Sequence, residues 1–235
     1  MKKHVIFDFY GTLVKIHTDE ALPSLWRTLS RQIPGYEPMA LKEKYFRTVE
    51  AHLNKTAEAS GCAYPEVRLE EVFAEIAGCS VSEGVRLARK FRKESMITLE
   101  PFSGTLDTMK RLREEGKTLY LLSNAQACFT MAEIHACGVD AYLDRIYISS
   151  DYRVKKPQKE FMEHLLSDNQ LNVNDCLMVG NDVSSDLAIA DACGMDSVYL
   201  NTDGETEAVI EERIRQAGLK RERIRLILSG RIEEL

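Results

Sequence analysis

The sequence predicts an α/β protein: a parallel sheet covered on both faces by helices, with an all-helical segment inserted near its start. From Pro101 onward short apolar runs alternate with helical patterns, the mark of repeated strand–helix units. Between residues 15 and 97 several helical periodicities occur without a convincing strand. Polar groups also recur at one kind of place. Asp8, Ser123 and Asn181-Asp182 each follow a predicted strand, and Lys156 lies a few residues beyond another. Right-handed crossovers bring all those carboxyl ends to one edge, where ligands bind in open α/β sheets.

The first strand is the apolar run Val5 to Phe7, ended by Asp8 and the turn residue Gly11. Apolar Leu22, Leu25, Trp26 and Leu29 place a helix over residues 19 to 31, which Pro34-Gly35 closes. Pro38 opens a second helix with Leu41, Tyr45, Val49 and Leu53 on one face. Residues 65 to 77 and 80 to 96 read as two more. Ser103 is expected to cap a helix through Arg113, which Gly116 ends. Strands follow at 117–122, 145–149, 176–179 and 196–200, with a weaker one at 223–228; helices at 128–137, 159–166, 184–193 and 205–216 separate them.

With 235 residues, 44% apolar and 29% charged, the chain has an ordinary globular composition and can bury a sizeable core. A net charge of −6 and a pI near 5.5 oppose a nucleic-acid surface. No segment approaches bilayer length, and the apolar run after Met1-Lys2-Lys3 stops at Asp8 with no cleavage site, so a cytoplasmic location without membrane contact is expected. The six cysteines are scattered with no CxxC pair, and the five histidines form no HxH or HExxH pattern. They read as reduced core thiols and ordinary surface or core imidazoles.

An ionised Asp8 at the end of a buried strand is more chemical than structural, because carboxylates are seldom buried unless paired or bound to a metal. The segment Asp8-Phe9-Tyr10-Gly11-Thr12-Leu13 resembles the first motif of the haloacid dehalogenase-like (HAD) hydrolases. Ser123-Asn124 resembles their second motif, Lys155-Lys156-Pro157 their third, and Gly180-Asn181-Asp182-Val183-Ser184-Ser185-Asp186 their fourth. The four occur in the family's order over nearly the whole chain.

This resemblance implies a Rossmann-like three-layer core, residues 1–14 and 99–235, and a helical C1-type cap, residues 15–98, hinged near Val14–His17 and Thr98–Phe102. It implies Asp8 as covalent nucleophile, and Thr12, Ser123, Asn124 and Lys156 as phosphate-binding groups, Lys156 being catalytic. It further implies Mg2+ held by Asp8, the backbone carbonyl of Tyr10, and acids of the fourth motif. A gap-free comparison puts Asn181 where the first acid belongs. Asp182 and Asp186 restore the acid spacing, so Asp182 is expected as the direct ligand and Asp186 in support.

Tyr10 is the main departure, since phosphatases of the family have Asp there as acid and base. A tyrosine with a pKa of about 10 supplies little phenolate at neutral pH, and loss of a positioned acid or base costs on the order of a hundred- to ten-thousandfold. The 2-haloacid dehalogenases carry Tyr at this place, release halide unprotonated and use no metal. They differ in having Ser-Ser-Asn in the fourth motif and Tyr where this chain has Met162. The reading is therefore a Mg2+-dependent phosphatase of small phosphorylated metabolites, monomeric or homodimeric. Its alternatives are a 2-haloacid dehalogenase-like hydrolase and a catalytically weakened phosphate-metabolite binder. Arg27 and Arg31, one turn apart in the insertion, are expected on a solvated face.

Overall fold

A computed structural model describes residues 2–235; Met1, the start of the expected core range, lies outside the described residues. Strand β1 (His4–Phe7) runs up the middle of a six-stranded sheet. It pairs in parallel with β4 (Thr118–Ser123) on one side and β6 (Cys176–Gly180) on the other. Beyond these lie β5 (Arg145–Ile148) at one edge, and β7 (Asp196–Leu200) and β8 (Ile224–Ile227) at the other, all parallel. Side chains of β1 alternate across the sheet: Val5 and Phe7 enter one apolar cluster with Leu119 and Leu121, while Ile6 enters another with Tyr120, Leu122 and Met178. Both faces are covered, so the strands read as continuous apolar runs.

The insertion contains α1 (Pro23–Ser30), α2 (Pro38–Ser60), α3 (Leu69–Ala77) and α4 (Val81–Ser95). These helices have their own core. Trp26, Tyr45, Phe73 and Phe91 meet with ring centroids 5.1–5.9 Å apart, and Leu25, Leu29 and Leu41 pack around them. Each fully buried ring or leucine contributes about 1.5–3 kcal/mol of transfer free energy. Arg27 and Arg31 are exposed.

The expectation that residues 15–97 hold no strand is corrected. Strands β2 (Val14–Thr18) and β3 (Met96–Pro101) form a separate antiparallel ribbon at the foot of the insertion, through both predicted hinges. Val14, Ile16 and the polar residues between them do alternate, but the partner strand is some eighty residues away, so no local turn signals the pairing. Ser103 does not cap the next helix; α5 (Thr105–Glu114) starts after Gly104, while the Thr105 hydroxyl donates to the carbonyl of Leu13. A short helix α7 (Ser149–Tyr152) follows β5 directly. The helix expected over 184–193 is a wide π-turn, Val183–Leu187, continued by α9 (Ala188–Ala192). Helices α6 (Ala127–Ala136), α8 (Lys159–Asp168) and α10 (Glu207–Gln216) complete the layers.

Away from the ribbon, the insertion meets the core along an extended segment. The Glu66 amide donates to the Arg153 carbonyl (2.9 Å) and the Lys155 amide to the Tyr64 carbonyl (3.1 Å). Glu66 itself is buried. Its Oε2 accepts from Ser149 Oγ at 2.8 Å, and its Oε1 accepts from the Val67 amide at 2.9 Å and Gln126 Nε2 at 3.3 Å. Gln126 Oε1 in turn accepts from the Leu69 amide, so core side chains satisfy the backbone that leads into α3.

Candidate active site

The carboxyl ends of β1, β4 and β6 bring together most of the expected residues. Asp8 follows β1 and is only 7% exposed; its amide donates to the Val179 carbonyl, which extends the β1–β6 pairing by one step. Lys156 is also buried, and its ammonium uses all three donors: Asp8 Oδ1 and Asp186 Oδ1, both at 2.7 Å, and the Leu122 carbonyl at 2.8 Å. Burial pulls the Lys156 pKa down, but the Asp186 and Asp8 carboxylates outweigh it and hold the ammonium protonated above its ordinary range. Asp186 moves upward, chiefly by burial and also by the charge of Asp8, with Lys156 opposing.

Asp186 Oδ2 accepts the amides of Asn181 and Asp182, both at 3.1 Å. This contact is why Gly180 has no side chain: a Cβ there would overlap the Asp186 carboxylate. Gly11 is constrained twice, with φ +82° and an added Cβ only 2.5 Å from Asn181 Nδ2. Thr12 is fully buried, and its hydroxyl lies 3.2 Å from both Asp8 Oδ2 and Asn181 Oδ1.

Three of the expected residues have other partners in the structure. Asp182, expected as the direct metal ligand, turns to its own π-turn, where Oδ1 accepts from the Ser184 amide (2.6 Å), the Ser184 hydroxyl (2.7 Å) and the Ser185 amide (3.3 Å). Asn181 takes the place beside Thr12 instead. Asn124, expected on phosphate, spends its amide on the Lys156 backbone: Oδ1 accepts from the Lys156 amide (2.8 Å) and Nδ2 donates to its carbonyl (3.0 Å). Tyr10, expected as a catalytic group, commits its phenol to α6, donating to Glu133 Oε2 at 2.5 Å with Thr130 Oγ1 at 2.9 Å. Burial first, then the Glu133 charge, push its pKa upward, so the proton stays on the phenol. Ser123 is buried with an unpartnered Oγ.

Such an orphaned hydroxyl invites an oxygen-bearing occupant. With both acids ionised, Asp8, Asp186 and Lys156 sum to one negative charge in a buried site, which favours a cation there. Asp8, the Tyr10 carbonyl, Asn181 Oδ1 and Asp186 are all hard oxygen donors, although no cluster of three His, Cys, Asp or Glu side chains able to hold a metal occurs among the described residues. A cavity of about 620 Å³ lies elsewhere, between α2 and α8; Tyr152, Arg153 and His164 line it, and none of the expected site residues does.

The pattern of the haloacid dehalogenase-like hydrolases matches residues 2–194. The chain belongs to that family and is a hydrolase. Its relatives divide in activity. It is similar to a ribulose-1,5-bisphosphate 5-phosphatase of Halopiger xanaduensis, 24% identical over 102 residues, a match spanning only 43% of each chain. It is also similar to (S)-2-haloacid dehalogenase 4A of Burkholderia cepacia, 24% identical over 215 residues, covering 85% of this chain and 83% of the relative. Among solved structures, a HAD phosphatase from Thermococcus onnurineus superposes with a TM-score of 0.60 at 19% identity, covering 87% and 88% of the two chains; this supports the fold. Within this HAD chain the structure adds groups that sequence reasoning missed: Glu66 and Gln126 at the seam, and Arg92 and Glu133 around Tyr10. No spacing or motif signals them, because each meets its partners across tens of residues.

Proposed function

We propose that the protein is a Mg2+-dependent phosphohydrolase of small phosphorylated metabolites, acting through an aspartyl phosphate on Asp8 beneath a C1-type cap. The buried Asp8–Lys156–Asp186 triangle beside an unpartnered Ser123 hydroxyl carries this reading. Asp8 Oδ attacks phosphorus, the bond from phosphorus to the leaving oxygen breaks, and water then cleaves the acyl phosphate to phosphate. Lys156 supports the charge that develops on the transferred group, and Ser123 Oγ and nearby amides hold its oxygens. Asp8, the Tyr10 carbonyl and Asn181, with Asp186 behind them, would hold Mg2+, whose charge would offset that of the phosphoryl group.

The Tyr10 proton is committed to Glu133, so the leaving group departs without an acid to protonate it. Substrates whose leaving groups are stable anions, such as acyl or aryl phosphates, are therefore favoured. The neutral pair Tyr10 and Asn181 supports a second reading, halide displacement from a 2-haloacid. The net negative charge of the site opposes it, since the substrate carboxylate would meet an acidic pocket. The test is phosphate release from acetyl phosphate and p-nitrophenyl phosphate, with Mg2+ or with chelator, against Asp8→Asn. Release requiring both Mg2+ and Asp8 is the expected result. Halide release from 2-chloropropionate, with no phosphate release, would establish the second reading instead.

A further inference from the structure

Tyr10 stands two residues after Asp8, and its surroundings join three parts of the molecule. Glu133, on core helix α6, accepts the Tyr10 hydroxyl hydrogen bond on Oε2. The same carboxylate receives a two-pronged contact from Arg92 on cap helix α4: Nε to Oε1 at 2.6 Å and Nη2 to Oε2 at 2.9 Å. The Arg92 guanidinium also lies over the Tyr10 ring, 5.1 Å from its centroid, and over the Phe129 ring at 5.0 Å. The ion pair is shielded, with side-chain exposures of 13% for Arg92 and 9% for Glu133. Shielded two-pronged pairs are directional and expensive to break from one side, because the partner is left desolvated and unpaired.

The position of Arg92 matters as much as its contacts. It lies one turn before Ser95, where α4 passes straight into strand β3 of the ribbon. A swing of the insertion about the ribbon would draw Arg92 off Glu133. On the other side of the cluster, Tyr10 belongs to a tight turn in which the Leu13 and Val14 amides donate to the Phe9 carbonyl and the Gly11 amide donates to the Val14 carbonyl. That turn presents the Thr12 hydroxyl to Asp8.

We propose that Arg92 is a positioning residue: when the cap is seated, the Arg92–Glu133–Tyr10 chain fixes the turn beside Asp8, so the reactive arrangement is complete only with the cap down. The kinetic part of this proposal rests on the phosphohydrolase reading; the structural part does not.

The experiment measures amide hydrogen exchange of Thr12, Leu13 and Val14 in the full-length protein and in Arg92→Met, Arg92→Lys and Tyr10→Phe. Removing the pair in Arg92→Met is expected to lower protection of these amides about tenfold, the equivalent of one charge-assisted hydrogen bond. Arg92→Lys keeps the charge without the fork and falls between. Tyr10→Phe keeps the ring under Arg92 but removes the hydroxyl that donates to Glu133, and moves in the same direction by less. Emission from Trp26, the single tryptophan, reports whether the cap core stays folded and is expected to be unchanged.

With p-nitrophenyl phosphate, kcat falls in Arg92→Met while KM holds. An arginine that merely braced the cap would lower the melting temperature or raise KM and leave the turn amides as they are. Equal protection of Thr12–Val14 in Arg92→Met and in the unaltered protein overturns the proposal. If the unaltered protein releases no phosphate, the phosphohydrolase reading fails, while the exchange measurement still decides the role of Arg92.

Discussion

Glu66 offers a direct test of how the insertion is fastened to the core. Its carboxylate receives bonds from the Val67 amide, Gln126 Nε2 and Ser149 Oγ. In Glu66→Ala two of these donors keep a second acceptor: Ser149 Oγ has the Ala125 carbonyl at 3.1 Å, and Gln126 Nε2 has the Val67 carbonyl at 3.1 Å. The loss then falls on the Val67 amide and on the charge-assisted part of the other two bonds, about 2–4 kcal/mol together.

Glu66→Gln behaves differently. Its carbonyl accepts from Val67 and Gln126, its amide donates to Ser149 Oγ, and Ser149 turns its proton to Ala125, so the expected cost is within about 1 kcal/mol. The two variants also separate by pH. Burial raises the Glu66 carboxyl above its ordinary 4.5, outweighing the Ser149 bond and the nearby charge of Lys155. The folded state thus holds this proton more tightly than the unfolded chain. Its contribution to stability is complete below 4.5 and is lost as pH rises through the raised value. Urea unfolding at about pH 5 and about pH 8 measures this: the unaltered protein should lose stability relative to Glu66→Gln as pH rises. An equal pH slope in the two proteins, or a Glu66→Ala cost below about 0.5 kcal/mol, would refute the reasoning.

Three further outcomes follow from the site. Lys156→Met leaves Asp8 and Asp186 without their shared cation and should lower kcat for acetyl phosphate by about two to three orders of magnitude; a loss under threefold would remove Lys156 from the chemistry. Asn181→Asp adds a charge where the oxygen donors gather, and should lower the Mg2+ concentration for half-activation by about tenfold; isothermal titration showing no change in Mg2+ affinity would place the metal away from Asn181. Gly180→Ala forces a methyl group against the Asp186 carboxylate and should cost about 1–3 kcal/mol in urea unfolding. Unchanged stability there would mean the β6 turn yields freely.

The sheet was legible because buried parallel strands advertise themselves as apolar runs and their polar ends fall in one place. Asp8, Lys156, Thr12 and Asp186 meet as that topology requires. What stayed hidden depended on orientation or on distant partners. Asn181 and Asp182 are neighbours in sequence, yet one faces Thr12 and the other caps a π-turn whose extra residue no periodicity announces. Tyr10 could be recognised as unusual, but the direction of its phenol depends on Glu133, 123 residues away. Strands β2 and β3 escaped because helices fill the interval between them.

The ribbon has a consequence for how such a chain can change over time. Val14 and Pro101 are direct partners across β2 and β3, so the backbone leaves the core and returns to it about 5 Å apart, one strand spacing. A graft at these two points therefore leaves the sheet and its catalytic edge covalently undisturbed, and any replacement module need only present two neighbouring ends. The fold separates the parallel sheet from the helical insertion at a single pair of neighbouring strands, and the two can drift at different rates. The constraint on exchange lies in the side chains that reach down from the insertion, Glu66 and Arg92, which a foreign module would have to supply anew.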